Sequence, residues 1–229
     1  MIRQGRYRNP EASGSGSLKA GLLTGLAAGP RIHVISCGGG LPVPYTDAEK
    51  YVDLNEYHRI WREKLELLAK VYRHPIRFEI EPGRYLVAES GYMLSEIRAV
   101  KQQGKNLFYL VDAGFNNLAR PVMYGSHHPI SVVDAAEDAP EQEVIVGGPL
   151  CESGDIFTQK EGGYVEKRLL PKAEIGDYLV FEVAGAYGFM MGSNYNSKPL
   201  AAEVLIENGE PRLIRRRQTF SDLTANEVY

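Results

Sequence analysis

The chain has 229 residues, 44% of them hydrophobic and 24% charged, with a formal net charge of −3. That is ordinary globular composition for one or two domains, and its mildly acidic balance excludes a general attraction to phosphate backbones or anionic membranes. No apolar run approaches the roughly 18 residues that cross a bilayer, and the N-terminus is no secretory signal, so neither nucleic acid nor membrane is expected as a partner. Two cysteines, Cys37 and Cys151, form no disulfide framework, which points to a reducing cytoplasm. No metal site is expected, because Cys151 has no second cysteine near it and His127-His128 stands alone.

In chain order, residues 1–18 are basic and then rich in Gly and Ser, without period, and read as a poorly ordered N-terminal segment. "RIHVIS" (31–36) is a short β-branched run that empties into Gly38-Gly39-Gly40. From Leu54 to Val71 the residues Leu54, Tyr57, Trp61, Leu65, Leu68 and Val71 recur at helical spacing. "IRFEIE" (76–81) reads as the next strand and stops at the breaker Pro82-Gly83. Strand, glycine loop, helix, strand, glycine loop is the rhythm of a βα barrel or an open parallel sheet.

The texture then changes. "YMLSEIRAVK" and "NLFYLVDAG" read as two strands joined through Gly104, followed by "EVIVGG", "DYLVFEVAGAYG" and "AAEVLIENGEPRLIRRR", the last with an Asn208-Gly209 hairpin turn. Helical periodicity is nearly absent after Val71, except just beyond Pro121. The expected organisation is α/β plus β: residues 19–100 form a partial βα barrel segment and residues 101–229 a β-rich, sandwich- or barrel-like C-terminal domain, with the boundary between 85 and 105. A complete (β/α)₈ barrel takes about 250 residues, so only the C-terminal part of one would fit here.

Five constellations carry chemistry. Gly38-Gly39-Gly40 can bring backbone N–H groups close to a phosphate, although a glycine triplet is more often a plain turn. Glu81-Pro82-Gly83-Arg84 ends the neighbouring strand and adds a guanidinium suited to a carboxylate or phosphate. In "DAGFNNLARPVMYGSHH" (112–128), Pro121 suits a first helical position with Arg120 at the cap, and four-residue spacing brings Arg120 near Tyr124 as a carboxylate clamp. The alternative is a surface arginine beside a core tyrosine. "GAYG" and "SNYNSKP" set Tyr187 and Tyr195 among small residues, where a ring can face a ligand or simply fill core. His33, His58 and His74 read as structural or solvated, and Cys37 as a small strand-end filler.

"GGPLCESGDIF" (147–157) is the most pointed stretch, because it places Cys151 beside Glu152 in a glycine-lined turn that offers little apolar burial. Cys151 could be a metal ligand, a nucleophile, a proton donor, or none of these. A thiol of ordinary pKa, about 8.5, is mostly protonated at neutral pH. A neighbouring carboxylate disfavours a second negative charge beside it, which favours an acid over a thiolate nucleophile.

Taken together, "GGGLPVPY", "EIEPGRYLVAESG", "VDAGFNNLARPVMYGSHH", "GGPLCESGD", "GAYGFMMGSNYN" and "AAEVL" resemble, in register, the C-terminal half of diaminopimelate decarboxylases, pyridoxal-phosphate enzymes of the alanine-racemase-like fold. The resemblance runs from about Gly14 to the C-terminus and implies a barrel followed by a β-domain. It implies that Gly38, Gly39, Gly40, Glu81, Pro82, Gly83 and Arg84 cradle the phosphate of pyridoxal 5′-phosphate, with Arg84 also touching an amino-acid substrate. It further implies that Arg120 and Tyr124 clamp a substrate carboxylate, that Tyr187 meets both cofactor and substrate, and that Glu152 receives the substrate's distal ammonium. Cys151 is then the proton donor, contributed across a homodimer interface to the partner's site.

Two features depart from the family. Its cofactor-binding lysine lies in a Tyr-x-x-Lys context near the start of the barrel, whereas the Tyr195 to Lys198 spacing here falls in "SNYNSKP", where the family usually carries arginine. Its histidine before a Gly-Ser pair is missing from "EASGSG". Three readings follow: the C-terminal half of a decarboxylase that converts meso-2,6-diaminopimelate to L-lysine and CO₂, a non-catalytic truncated remnant, or a relative acting on another basic amino acid such as D-lysine or D-ornithine. A distal carbon bearing both ammonium and carboxylate requires a cation, a hydroxyl and an anion together, and Arg84, Arg120, Tyr124 and Glu152 supply that set. This favours diaminopimelate.

Overall fold

The structure, a computed structural model, describes residues 32–228. The expected loose segment 1–18 and "EASGSG" lie outside the described residues. The chain separates into two compact units after Ala88.

The first unit is built on one βαβ crossover. Strand β1 (Val34–Ser36) pairs in parallel with β2 (Arg77–Glu79), with Ile35 opposite Phe78, and helix α1 (Leu54–Tyr72) connects them. Parallel strands cannot be joined by a tight turn, so the long helical connection follows from the pairing. The helix starts at Asp53, whose carboxylate accepts from the N–H groups of Asn55 (2.9 Å) and Glu56 (3.1 Å), and it stops where Arg73 turns left-handed at φ 57°. Of the apolar residues at helical spacing, Trp61 and Leu68 are buried while Leu54 and Val71 are exposed. Leu68 and Tyr72 pack on Ile35, and Trp61 lies 5.3 Å from Phe78.

Just after β2 the sequence expectation needs amending. Pro82-Gly83, read there as a break, leads into a short helix α2 (Gly83–Val87) with Pro82 as its N-cap. A proline costs no hydrogen bond at a helix start, because the first N–H groups have no intrahelical partner.

The second unit is a sheet of six strands. In chain order its elements are β3 (Met93–Gln103), β4 (Asn106–Val111), α3 (Arg120–Tyr124), β5 (Ile130–Val132), β6 (Glu141–Gly147), β7 (Gln159–Lys160), β8 (Tyr164–Val165), β9 (Arg168–Pro171), β10 (Tyr178–Phe181), β11 (Glu203–Glu207), β12 (Glu210–Arg215) and α4 (Phe220–Leu223). The order across the main sheet is β5-β10-β3-β4-β6-β9, with β4 and β6 parallel and the other neighbours antiparallel. The edge strands β5 and β9 approach each other, so the sheet is nearly closed. This β-rich architecture is the one expected for the C-terminal part.

Its core is continuous: Ile97, Tyr109, Leu118, Val144, Val146, Leu179 and Phe181 are each 0% exposed. The Gly104 turn joins β3 to β4, and Asn208-Gly209 joins β11 to β12, as the sequence pattern predicts. The helix after Pro121 is present but starts one residue early, with Ala119 as N-cap and Arg120 inside it. The helix α4, where no period pointed to one, is held by a capping box between Thr219 and Asp222.

Candidate active site

In the first unit the two glycine-bearing strand ends meet. The Glu81 N–H donates to the Gly38 carbonyl at 2.8 Å, and the Ser36 hydroxyl donates to the Glu81 carboxylate at 3.2 Å. A Cβ on Gly39 would stand 2.6 Å from the Glu81 carbonyl oxygen, closer than real Cβ atoms come, so this approach needs glycine. Gly38 (φ 67°) and Gly40 (φ 88°) are left-handed on either side of it. The outcome is a run of exposed residues at 39 and 40, with Arg84 placed on α2 beyond Glu81-Pro82-Gly83. Cys37, at the end of β1, has its thiol pushed up to about 12 by burial, so it stays protonated as an apolar filler.

In the second unit the candidate residues fall on three segments beside the sheet. Arg120, on α3, is buried to 3% exposure, which overturns the surface-arginine alternative. Its guanidinium donates to the Ser126 hydroxyl at 3.2 Å and lies 5.8 Å from the centre of the Tyr187 ring. Tyr187 is 46% exposed and holds a left-handed backbone at φ 61°, uncommon for a bulky residue. Tyr124 ends α3 one turn after Arg120, half-buried, and Gly125 caps the helix through N–H donation to the carbonyls of Arg120 and Pro121. His128, one of the isolated histidine pair, is buried and donates from Nδ1 to the Glu182 carbonyl at 2.9 Å. Burial lowers its pKa to about 4, which keeps it neutral.

Cys151 and Glu152 sit at the exposed rim of a loop organised from below by Asp155. The Asp155 carboxylate, 3% exposed, accepts from the N–H groups of Phe115 (2.8 Å) and Leu150 (2.9 Å), while its carbonyl accepts from Gly148 N–H (2.8 Å). Gly148 has no room for a Cβ, because the Asp155 carboxylate occupies that space. Above the loop, Asn196 accepts from the Cys151 N–H at 2.8 Å, and the Tyr195 hydroxyl donates to the Glu152 carboxylate at 3.3 Å. Hydrogen bonds from Gly154 N–H, Tyr195 and Ser153 lower the Glu152 pKa, so the carboxylate stays ionised.

Sequence reasoning missed Asp155 and Asn196. An aspartate in a Gly-x-x-x-x-x-Gly-Asp turn is a recognisable organiser of backbone N–H groups, and that signal was present in "GGPLCESGD". Asn196 gave no comparable signal, because its role depends on a long-range contact. Among the described residues, no three His, Cys, Asp or Glu side chains gather to hold a metal ion, and no helix is long and apolar enough to cross a membrane.

Residues 34–185 match the family model described as "Pyridoxal-dependent decarboxylase, C-terminal sheet domain". The diaminopimelate decarboxylase of Escherichia coli (strain K12) is 54% identical to the chain over 204 residues, 87% of this chain and 49% of the relative. That of Streptomyces coelicolor is 52% identical over 206 residues, covering 88% and 46%. Among solved structures, one crystal structure of a diaminopimelate decarboxylase is 51% identical with a TM-score of 0.87, covering 92% of this chain and 51% of that one. Another, from Helicobacter pylori and complexed with L-lysine, is 32% identical with a TM-score of 0.80, covering 95% and 50%. The chain spans about half the length of the curated relatives it matches.

Proposed function

Since the chain belongs to the pyridoxal-dependent decarboxylases through their C-terminal sheet domain, we propose that it supplies this part of an enzyme that converts meso-2,6-diaminopimelate to L-lysine and CO₂. The observation that carries the reading is the pair of opposite charges fixed in the second unit, a buried Arg120 guanidinium and an ionised Glu152 carboxylate. In a homodimer that brings Arg120 of one subunit and Glu152 of the other to one site, a substrate whose distal carbon bears both a carboxylate and an ammonium matches such a pair. The relatives named diaminopimelate decarboxylase, at 50% identity and above, support it.

The residues present fit pyridoxal 5′-phosphate. The backbone run at Gly39 and Gly40, which a side chain at residue 39 would close, suits a phosphate, and Arg84 adds a cation. When bound, the cofactor supplies an electron sink for the charge left by departing CO₂. This chain's residues do the rest. Glu81, Pro82 and Gly83 shape the cradle, Tyr187 contacts both bound molecules, Arg120 and Tyr124 grip a carboxylate, and Glu152 receives the distal ammonium. The Cys151 thiol then delivers a proton to the α-carbon that lost its carboxylate. That both Cys151 and Glu152 are exposed on this chain supports a homodimer in which they complete the partner's site. The parallel β1–α1–β2 unit is consistent with a segment of a (β/α)₈ barrel.

The test is kcat/KM for meso-diaminopimelate against D-lysine and D-ornithine on one preparation of the complete enzyme. Diaminopimelate is expected to lead by about 10³-fold, because a site built for a polar group rejects the analogue that lacks it. A lead for either D-amino acid overturns the substrate assignment, and Arg120 would then serve the α-carboxylate.

A further inference from the structure

We propose that Tyr195 and Asn196 are positioning residues that fix the Cys151–Glu152 pair from above, Tyr195 through the Glu152 carboxylate and Asn196 through the Cys151 backbone. The proposal rests on the reading of Glu152 as receiver of the substrate's distal ammonium. An exposed glutamate on a glycine-bounded loop has many rotamers of similar energy, and binding a cation in one of them costs the loss of the others. Two devices reduce that cost here. On one side the carboxylate accepts from its own loop, from Gly154 N–H at 3.2 Å and the Ser153 hydroxyl at 3.3 Å. On the other, its second oxygen accepts from the Tyr195 hydroxyl at 3.3 Å.

Tyr195 is itself anchored. Its ring packs 4.8 Å from the Phe115 ring, and the Phe115 N–H is bound by the same Asp155 carboxylate that holds Leu150. The Asp155 N–H in turn donates to the Glu152 carbonyl at 3.1 Å. The contacts therefore close a ring, from Asp155 to Phe115 to Tyr195 to Glu152 and back to Asp155, in which each member limits the next. Asn196 completes the brace. It reaches the Cys151 N–H from a left-handed backbone (φ 54°), and Ser197 follows at φ 56°. Two successive non-glycine residues in that region cost energy, and such outliers persist where the surroundings impose them. Tyr195 leaves its hydroxyl protonated, since partial desolvation and then the Glu152 charge raise its pKa. It therefore donates to Glu152 across the working pH range.

The test uses the complete, cofactor-loaded enzyme. Tyr195→Phe keeps the ring on Phe115 and removes one oxygen. It is expected to weaken L-lysine binding, read by calorimetry, about three- to tenfold, to raise KM by a similar factor and to leave kcat nearly unchanged. Removing a donor to the ionised form also raises the Glu152 pKa, so the acid limb of kcat/KM moves to higher pH. The groups that share this field, Cys151, Asp155 and Lys198, are unaltered by the substitution. Asn196→Gly keeps the left-handed backbone accessible while deleting the acceptor, and it is expected to lower kcat severalfold with L-lysine affinity retained. Unchanged KM, L-lysine affinity and acid limb in Tyr195→Phe, or a loss explained by a fallen melting temperature, overturns the role of Tyr195. Wild-type kcat in Asn196→Gly overturns that of Asn196. Glu152→Gln separates the two levels. If it binds L-lysine like wild type, the underlying reading of Glu152 fails. If it loses binding while Tyr195→Phe does not, only the positioning role fails.

Discussion

In the first unit the expected chemistry at residues 38–40 and 81–84 is made mostly from main chain, with Arg84 the added cation, whereas in the second it is made from side chains. The difference extends to what lies beneath. The glycine cradle rests on a short parallel pair and a core of Ile35, Leu68 and Tyr72. The Cys151–Glu152 loop stands on a nearly closed sheet whose buried cluster includes Ile97, Tyr109, Leu179 and Phe181. Backbone donors suit an anion that must be held without discrimination, because N–H groups cannot be mismatched by a rotamer. Side chains suit a step that needs a particular proton or charge, provided something fixes them, and here the buried Asp155 carboxylate does so. The two units should therefore respond differently to substitution.

The largest effect is expected at Cys151. In the complete enzyme Cys151→Ala should slow turnover by roughly 10²–10⁴-fold, the usual worth of a general acid. Cofactor affinity should remain at the wild-type level, since the cradle belongs to the other unit. Stopped-flow or steady-state turnover measured beside a cofactor titration decides it. Turnover near wild type would return Cys151 to the status of a bystander, and a parallel loss of cofactor affinity would break the division between the two units.

β1, α1 and β2 were legible because β-branched runs and helical spacing are local signals, and the Asn208-Gly209 hairpin was legible from its turn residues alone. The helix α2 was not, because Pro82-Gly83 signals a break equally well before a helix and after a strand. Arg120 was recognised as a clamp candidate, yet its burial depends on how α3 packs and could not be read from spacing. The same holds for the brace on Glu152: Tyr195 and Glu152 are 43 residues apart and meet only when the sheet has formed. Family resemblance located the loop, but the contacts that hold it are a property of the fold.

The next effect concerns stability. Phe181, 0% exposed and 4.6 Å from the Phe157 ring, should cost about 3–5 kcal/mol when cut to alanine, while Leu68→Ala should cost about 2–5 kcal/mol. Hydrogen exchange distinguishes where these losses fall. Phe181→Ala should deprotect β3, β4, β6 and β10 together, because those strands share one core. Leu68→Ala should deprotect β1, α1 and β2 and leave the sheet protected. Equal deprotection of both units by either substitution would show a single cooperative body and remove the contrast.

The smallest effect is the sharpest probe of the backbone site, because two glycines one strand end apart make opposite demands. A Cβ on Gly39 meets the Glu81 carbonyl at 2.6 Å, and neither atom belongs to a flexible side chain, so Gly39→Ala must shift the main chain of one strand end. A displacement costing about 1–3 kcal/mol corresponds to roughly 5- to 150-fold weaker cofactor binding. A Cβ on Gly83 meets nothing within 4 Å, and Gly83 sits at the first position of α2 without a positive φ. Gly83→Ala therefore needs no shift of the main chain, should weaken cofactor binding less than Gly39→Ala does, and should stabilise the protein by about 0.4–1 kcal/mol through the unfolded chain. Fluorescence titration of pyridoxal 5′-phosphate against both variants of the complete enzyme checks the pair. Equal losses would mean that the phosphate contacts residue 83 as closely as residue 39, and wild-type affinity in Gly39→Ala would remove the cradle from the site altogether.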